Sequence, residues 1–281
     1  MKIRDEKISS RIFKCFVHVF LILLVMFQLF PVIAVLFNSL RHDSAIKALP
    51  LSFPESFYLG NYPETWIRGG YATAFISSIR VGLSVVIIVV ICAGLAGYAL
   101  SRLNIPGKNF FISYFLLGMA IPAFLYIAPT FFTFARLGLV NTHLGLIIIY
   151  SAIFLPFNIL LMRTFMLGIP RELEEAALVD GCNETQVLLR ITTPLAKPII
   201  TTIALITFLW TWNEFMWANT FISSDALRTV ATRFFRFVSE YSLNLALVFT
   251  AGAISLGPIL ILYLFLQKAF IEGMTQGAVK G

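Results

Sequence analysis

The chain has 281 residues, of which 59% are hydrophobic and 12% charged, with a formal net charge of +7. A mean hydropathy of +0.88 and about half the usual share of charge exclude an ordinary soluble globule. The positive balance implies no nucleic-acid partner, because the cations flank apolar runs, where contact with anionic headgroups accounts for them.

Those runs set the architecture. A hydrocarbon core of roughly 30 Å takes about 20 apolar residues as a helix, and backbone groups without water require a helix or a closed barrel. The alternation of a barrel strand is missing; "VGLSVVIIVVICAGLAGYAL" is apolar on every side. In chain order, helical spans are expected at 14–38, 73–100, 109–135, 143–165, 195–220 and 243–267. The basic "MKIRDEKISSRIFK" before the first run looks like a signal peptide, but the run is too long for one and no A-x-A-like site closes it. It is read as an uncleaved first span. The predicted layout is a cytosolic N-terminus at 1–13, a six-span domain at 14–267 with an internal loop at 168–194, and a cytosolic tail at 268–281.

Six spans put both termini on one side. Excluding Arg80, which lies within the second span, that side carries 13 Lys and Arg and the other side 7. The positive-inside rule then assigns both termini to the cytosol. The loop 39–71 faces outward, rich in turn residues and aromatics and too polar to insert.

Between spans four and five, "RELEEAALVDGCNETQVLLRITTP" holds five of the fourteen acidic residues. Pro170 suits a first helical turn, and Glu172, Glu174 and Glu175 favour the positive end of the helix dipole. Gly181 is a natural stop. Asn183 and Gln186 have capping-box spacing. Two short helices joined at a glycine are therefore predicted. Leu173, Ala176, Ala177 and Asp180 share one face of the first. Small residues with acidic flanks suit insertion into a cleft on another protein; a solvated helix resting on headgroups is the alternative.

Span five contains "FLWTWNEFMWANTF". At spacings of three, four and seven, Trp210, Asn213, Glu214 and Trp217 share one helical face. An intramembrane carboxylate is expensive and usually faces a cavity or partner, so this face is assigned to a translocation path or a subunit seam. An aromatic belt and a headgroup-seeking Glu remain open. Arg80 is close enough to its span end to snorkel. Pro122, Pro129, Pro156 and Pro258 interrupt spans and can kink them. Cys15, Cys92 and Cys182 have no CxxC or metal spacing and read as small apolar fillers. His18 and His143 read as packing or interface residues.

The loop resembles a known family. "EEAALVDG", followed nine residues later by "ITTP", is similar to the EAA loop of ABC importer permeases, with Glu175, Ala176, Ala177, Gly181, Ile191 and Pro194 matching and Thr193 replacing the usual Leu. "YLGNYPETW", "AGYALSRLNIPGKN", "RLGLVNTHLGLIII" and "WNEFMWA" also resemble segments of carbohydrate permeases. The tail "QKAFIEGMTQGAVKG" resembles that of the MalG-like permease, the second permease subunit of maltose-type importers. The resemblance implies an all-α, six-span permease of type I importer architecture. The coupling loop would use Glu174, Glu175, Ala176, Ala177, Asp180, Gly181 and Pro194 to dock on an ATPase. A tail with Gly273, Gly277 and Lys280 would reach between the ATPase subunits, against the plain alternative of a frayed end.

Implied partners are a second, related permease, a dimer of ATP-binding subunits that alone hold ATP and Mg, an extracytoplasmic solute-binding protein, the sugar and membrane lipid. The expected location is the bacterial cytoplasmic (inner) membrane. No cofactor, metal or catalytic residue is expected on the chain itself, which lacks GxxxxGK[ST], HExxH and a nucleophile elbow. An ion-gradient transporter would call for internal repeats and midplane ion ligands; no repeat is present, and Glu214 and Arg80 are the only candidates. An intramembrane enzyme would need a catalytic cluster on one face. Within the importer class, a non-sugar solute such as glycerol phosphate is the alternative cargo.

Overall fold

The structure is a computed structural model that describes residues 2–278, with side-chain surroundings for 13–264. Among the described residues the secondary structure is helical throughout, without strands. Four helices are long and apolar enough to cross a membrane, or up to six if each of two bent helix pairs is one span. The chain divides into two compact units, residues 1–69 with 236–256 and residues 70–235 with 257–281.

The first unit opens with α1, Lys2–Ser39, whose side chains from Phe13 to Phe30 are exposed except for a half-buried Val17. The helix starts well before the predicted span, through the stretch read as a cytosolic N-terminus. Its end is held by Arg41, which is buried and lies among neutral acceptors. Nη1 donates to Asn38 Oδ1 and to Leu49 O, while Nη2 donates to Ala45 O and Ser52 Oγ. Arg41 thus satisfies carbonyls at the C-terminus of α2, Asp43–Ala48, where a cation also meets the negative end of the helix dipole. Asn61, at the start of α3, Asn61–Arg68, donates to Ser39 O and Arg41 O at 3.0 and 2.9 Å. The loop 39–69 is therefore an ordered, hydrogen-bonded structure built around one guanidinium.

The second unit is organised by three long helices: α4, Tyr71–Arg102; α7, His143–Leu167; and α11, Lys197–Asn213. On α4, Ser77, Val81, Val85, Val89, Ala93, Gly97 and Ser101 are all buried. They form one i, i+4 row of small side chains, the ridge that helix packing uses and that lets membrane helices approach closely. Gly97 marks the tightest point, where an added Cβ would stand 2.6 Å from Met162 Cγ and 3.1 Å from the Arg163 backbone nitrogen. On α7, Leu146, Ile149, Tyr150, Ile159, Met162 and Met166 are buried in the same core.

Two of the predicted spans are not single straight helices. The third divides into α5, Lys108–Ala120, and α6, Ile127–Arg136, with a 3-10 turn Ala123–Tyr126 between them and a bend of 85°. Pro122 is the cause: it excludes helical geometry from the preceding Ile121, which is extended at φ −85°, ψ 117°. The fifth, predicted as 195–220, ends as a helix at Asn213. After an extended Glu214 at φ −70°, ψ 123° comes α12, Met216–Phe221. Pro129, Pro156 and Pro258 lie inside α6, α7 and the final helix without ending them.

The short turn before α7 is fastened to the segment after α12. Asn141, at a positive φ of 59°, donates its N–H to Phe221 O at 2.7 Å. Its Oδ1 accepts from the amides of Ser223 and Ser224. Thr142 then caps α7 by accepting from Gly145 N. His143 Nε2 lies 3.1 Å from Leu227 O, a packing role. Cys15 and Cys92 lie in helices and Cys182 beside one; the first two are exposed and the third is half-buried.

The chain closes with α13, Val230–Glu240, and α14, Leu245–Ala278. Gly273 and Gly277 fall within α14, where the backbone is helical. Lys280 lies outside the described residues.

Candidate functional site

Two places collect the residues singled out in the sequence. The first is the loop after α7. Helix α8, Glu172–Val179, is followed by Gly181 at φ +88°, a left-handed conformation that glycine adopts freely. Helix α9, Glu184–Val187, opens with the predicted capping box: Asn183 Oδ1 accepts from Gln186 N and Gln186 Oε1 accepts from Asn183 N, both at 2.9 Å. A π turn, Leu188–Thr192, and the short α10, Thr193–Leu195, carry the chain past Pro194 into α11 through a 73° bend.

The faces of α8 differ from the expected grouping. Glu174 and Ala177 are buried against the chain, while Glu172, Leu173, Glu175, Ala176, Val179 and Asp180 are exposed. Ala177 therefore does not share a free face with Leu173, Ala176 and Asp180. Its i, i+3 relation to Glu174 puts both on the inward stripe. Glu174 is turned in because three groups meet it there. Its Oε1 lies 3.0 Å from Arg102 Nε, an ion pair whose side chains are 11% and 4% exposed. It also accepts from Thr192 Oγ1 at 3.0 Å. The Nε contact is a charge–charge approach rather than an aligned hydrogen bond. Arg102 Nη2 donates to Ile169 O at 2.8 Å. The outward surface keeps carboxylates around apolar tips, with Val179 88% exposed.

The second place is a cleft of about 620 Å³ in the second unit. It lies where both broken spans open. Its wall carries Pro122 and Tyr126 from the first break, Phe154 and Phe157 from α7, and Trp210, Asn213 and Glu214 from the second break. Trp210 is 39% exposed and its ring sits 5.3 Å from those of both Phe154 and Phe157. Asn213 donates Nδ2 to Leu209 O.

Glu214 is held at three points. Oε1 accepts from Trp217 N at 2.9 Å, and Oε2 from Ala218 N at 3.1 Å and from the Tyr150 hydroxyl. Its carboxylate thus replaces the missing hydrogen-bond partners at the start of α12. This is why the helix can stop at Asn213 without a proline. It is also why the predicted four-residue face does not form. Trp217, beyond the break, is buried and packs against Tyr126 and Phe221 at 5.5 and 5.6 Å. Tyr126, Tyr150, Phe154 and Phe157 were not singled out in the sequence, where nothing separates them from other aromatics in apolar runs. Arg80 is exposed. No group of His, Cys, Asp and Glu suited to a metal occurs among the described residues.

Residues 89–276 match the family described as binding-protein-dependent transport system inner membrane component. The chain belongs to this family. It is 34% identical over 265 residues, 94% of this chain and 88% of the relative, to "Probable ABC transporter permease protein YurM" of Bacillus subtilis. It is 33% identical to the trehalose transport system permease protein SugB of Mycobacterium tuberculosis, covering 92% of this chain and 95% of that one. The diacetylchitobiose uptake system permease protein NgcG of Streptomyces coelicolor is 29% identical, with 97% and 91% covered.

A solved structure of a bacterial ABC transporter involved in the import of the acidic polysaccharide alginate contains a chain that superposes with a TM-score of 0.79. The two are 26% identical, with 93% of this chain and 98% of that chain covered. A chain of the MetNI methionine ABC transporter shares the fold alone, at 16% identity, a TM-score of 0.54 and coverage of 76% and 98%. As an ABC importer permease, the protein is a membrane component with the all-α architecture described above. The break in its fifth span is built by Glu214.

Proposed function

We propose that this permease is the transmembrane subunit of an ATP-driven importer for a sugar or oligosaccharide, that it forms half of the translocation path, and that it couples closure of a partner ATPase dimer to alternating access. The observation that carries this is the loop 168–194. It is a capped, glycine-jointed pair of short helices whose outer surface offers exposed Val179, Leu178 and Leu173 among Glu172, Glu175 and Asp180. Exposed apolar tips within a polar rim suit a protein groove. Ala176 and Gly181 keep the approach narrow, and Pro194 returns the chain to α11.

Both termini and this loop are assigned to the cytosol of a bacterial inner membrane, on the Lys and Arg asymmetry. ATP and Mg are held by the partner ATPase. Gly273, Gly277 and Lys280 form the segment that reaches toward that dimer. The apolar face of α1, unburied in this chain, accepts lipid and the second permease. An extracytoplasmic binding protein delivers the solute. A carbohydrate cargo is supported by the names of relatives that take up diacetylchitobiose and trehalose. It is supported also by the cleft, whose Trp210 face and Asn213 and Glu214 rim combine stacking surface with hydrogen-bonding groups.

Uptake of labelled sugar by cells in which the proton gradient is collapsed while ATP is maintained tests the reading. Uptake should persist. Its loss would mean that an ion gradient drives the transporter.

A further inference from the structure

By peptide bonds the coupling loop is joined only to α7 and α11. Its buried contact is with a third helix. Arg102 is the last residue of α4. Its guanidinium fastens Ile169 O, just before α8, and the carboxylate of Glu174, on α8 itself. Glu174 in turn accepts from Thr192, the last residue of the π turn. One carboxylate therefore joins the end of α4, the inner face of α8 and the return segment to α11. Such a node fixes the rotation of α8 about its own axis, which two flexible chain ends cannot do. Burying two charges is costly unless their pairing is good, and replacing both by apolar groups would fill the same space.

We propose that Arg102 and Glu174 are positioning residues that deliver the movement of the coupling loop to α4. This rests on the reading that the loop docks on an ATPase. The inner end of α4 packs on α7, with Gly97 against Met162 and Ser101 against Met166, so a displacement entering at Arg102 moves α4 and α7 together. On α7, Ile153, Phe154 and Phe157 line the cleft. The joint thus connects the ATPase-facing knuckle to the cleft wall through two helices in close contact. Glu175, one residue along and exposed, remains for the partner.

The test uses the assembled importer in proteoliposomes, measuring solute transported per ATP hydrolysed. A cysteine at Val179, with the native cysteines replaced, reports capture of the ATPase. Glu174→Gln and Arg102→Gln should be captured as well as the parent and should hydrolyse ATP. Their transport per ATP should fall roughly tenfold, within the usual range of coupling between sites. The exchange Arg102→Glu with Glu174→Arg should recover most of the ratio. Thr192→Val, which leaves the ion pair in place, should lower it less, by about two- to threefold, the lower end of what loss of a single hydrogen bond costs. If the parent's Val179 cysteine captures no ATPase, the docking reading falls and the joint with it. If capture is normal and Glu174→Gln and Thr192→Val both keep the native ratio, the joint alone is wrong. Should Glu174→Gln fail to assemble, an unchanged ratio in Thr192→Val overturns the proposal by itself.

Discussion

The hydroxyl of Tyr150 and the carboxylate of Glu214 meet at 2.5 Å, across 64 positions of sequence, tying α7 to the break between α11 and α12. Glu214 also receives two backbone amides. Removing the hydroxyl in Tyr150→Phe leaves both amides satisfied and should cost about 1 kcal/mol. Glu214→Gln turns one acceptor into a donor facing other donors and should cost about 1–3 kcal/mol. Hydrogen exchange of the Trp217 and Ala218 amides distinguishes them: exchange should quicken markedly in Glu214→Gln and little in Tyr150→Phe.

Trp210 should matter to solute handling rather than folding. Its ring is partly exposed in the cleft, so Trp210→Ala removes stacking surface without opening the core. Reconstituted importer carrying it should transport at least several-fold more slowly at low solute, with normal abundance, since one aromatic contact is worth about 0.5–1.5 kcal/mol beyond burial. Thermal unfolding in detergent should change little.

The coupling loop can be disabled while the bundle stays intact. Gly181 has a φ of +88°, which Gly181→Pro cannot adopt. Glu175→Lys reverses a charge on the exposed face of α8. Both variants should insert at parental levels, and both should lose most ATP-driven uptake. Membrane abundance by immunoblot and uptake by labelled solute check this together.

Gly97→Leu should fail differently. A side chain there meets Met162 and the backbone of α7, and overpacking of this kind costs about 1–3 kcal/mol or more. Reduced membrane yield and a lower unfolding temperature are expected, with Gly94→Leu, at a position without neighbours within 4 Å, as the benign control.

Outside the spans, Asp43 gives a pH dependence. Its carboxylate accepts from Leu245 N at 2.7 Å, at the start of α14, and pairs with Lys47 at 2.6 Å. Burial pushes its pKa up, but the Lys47 and Leu245 contacts outweigh that and hold it below the usual carboxylate range. A carboxyl with a depressed folded-state pKa stabilises above its unfolded value, near 3.9, and loses that contribution as pH falls through the folded value. Asp43→Asn should therefore be less stable than the parent at neutral pH by about 1 kcal/mol. In unfolding followed from pH 7 to 3, the difference should shrink toward the acid end.

Much of this architecture could be read in advance, and the exceptions share a physical character. The capping box at Asn183 and Gln186 and the stop at Gly181 depend on local backbone chemistry, which residue types report directly. The start of α7 at His143 depends on Thr142 in the same way. The break at Glu214 depends on Tyr150, far away in sequence, and on a side chain taking over backbone bonds. Periodicity alone continued the helix and grouped Trp217 with Trp210. Glu174 and Glu175 look equivalent in sequence; Arg102 and Thr192 separate them, turning one inward. The row from Ser77 to Ser101 was hidden because the whole segment is apolar, although small residues every fourth position were its visible sign.

The two helix breaks at Pro122 and Glu214 have a consequence for their surroundings. Each leaves carbonyls and amides outside a regular ladder, and both open into one cleft rather than toward separate faces. Hydrocarbon cannot satisfy such groups, so neither break can face lipid: Glu214 answers the amides at its own break, and the remaining backbone groups have to turn toward protein or the cleft.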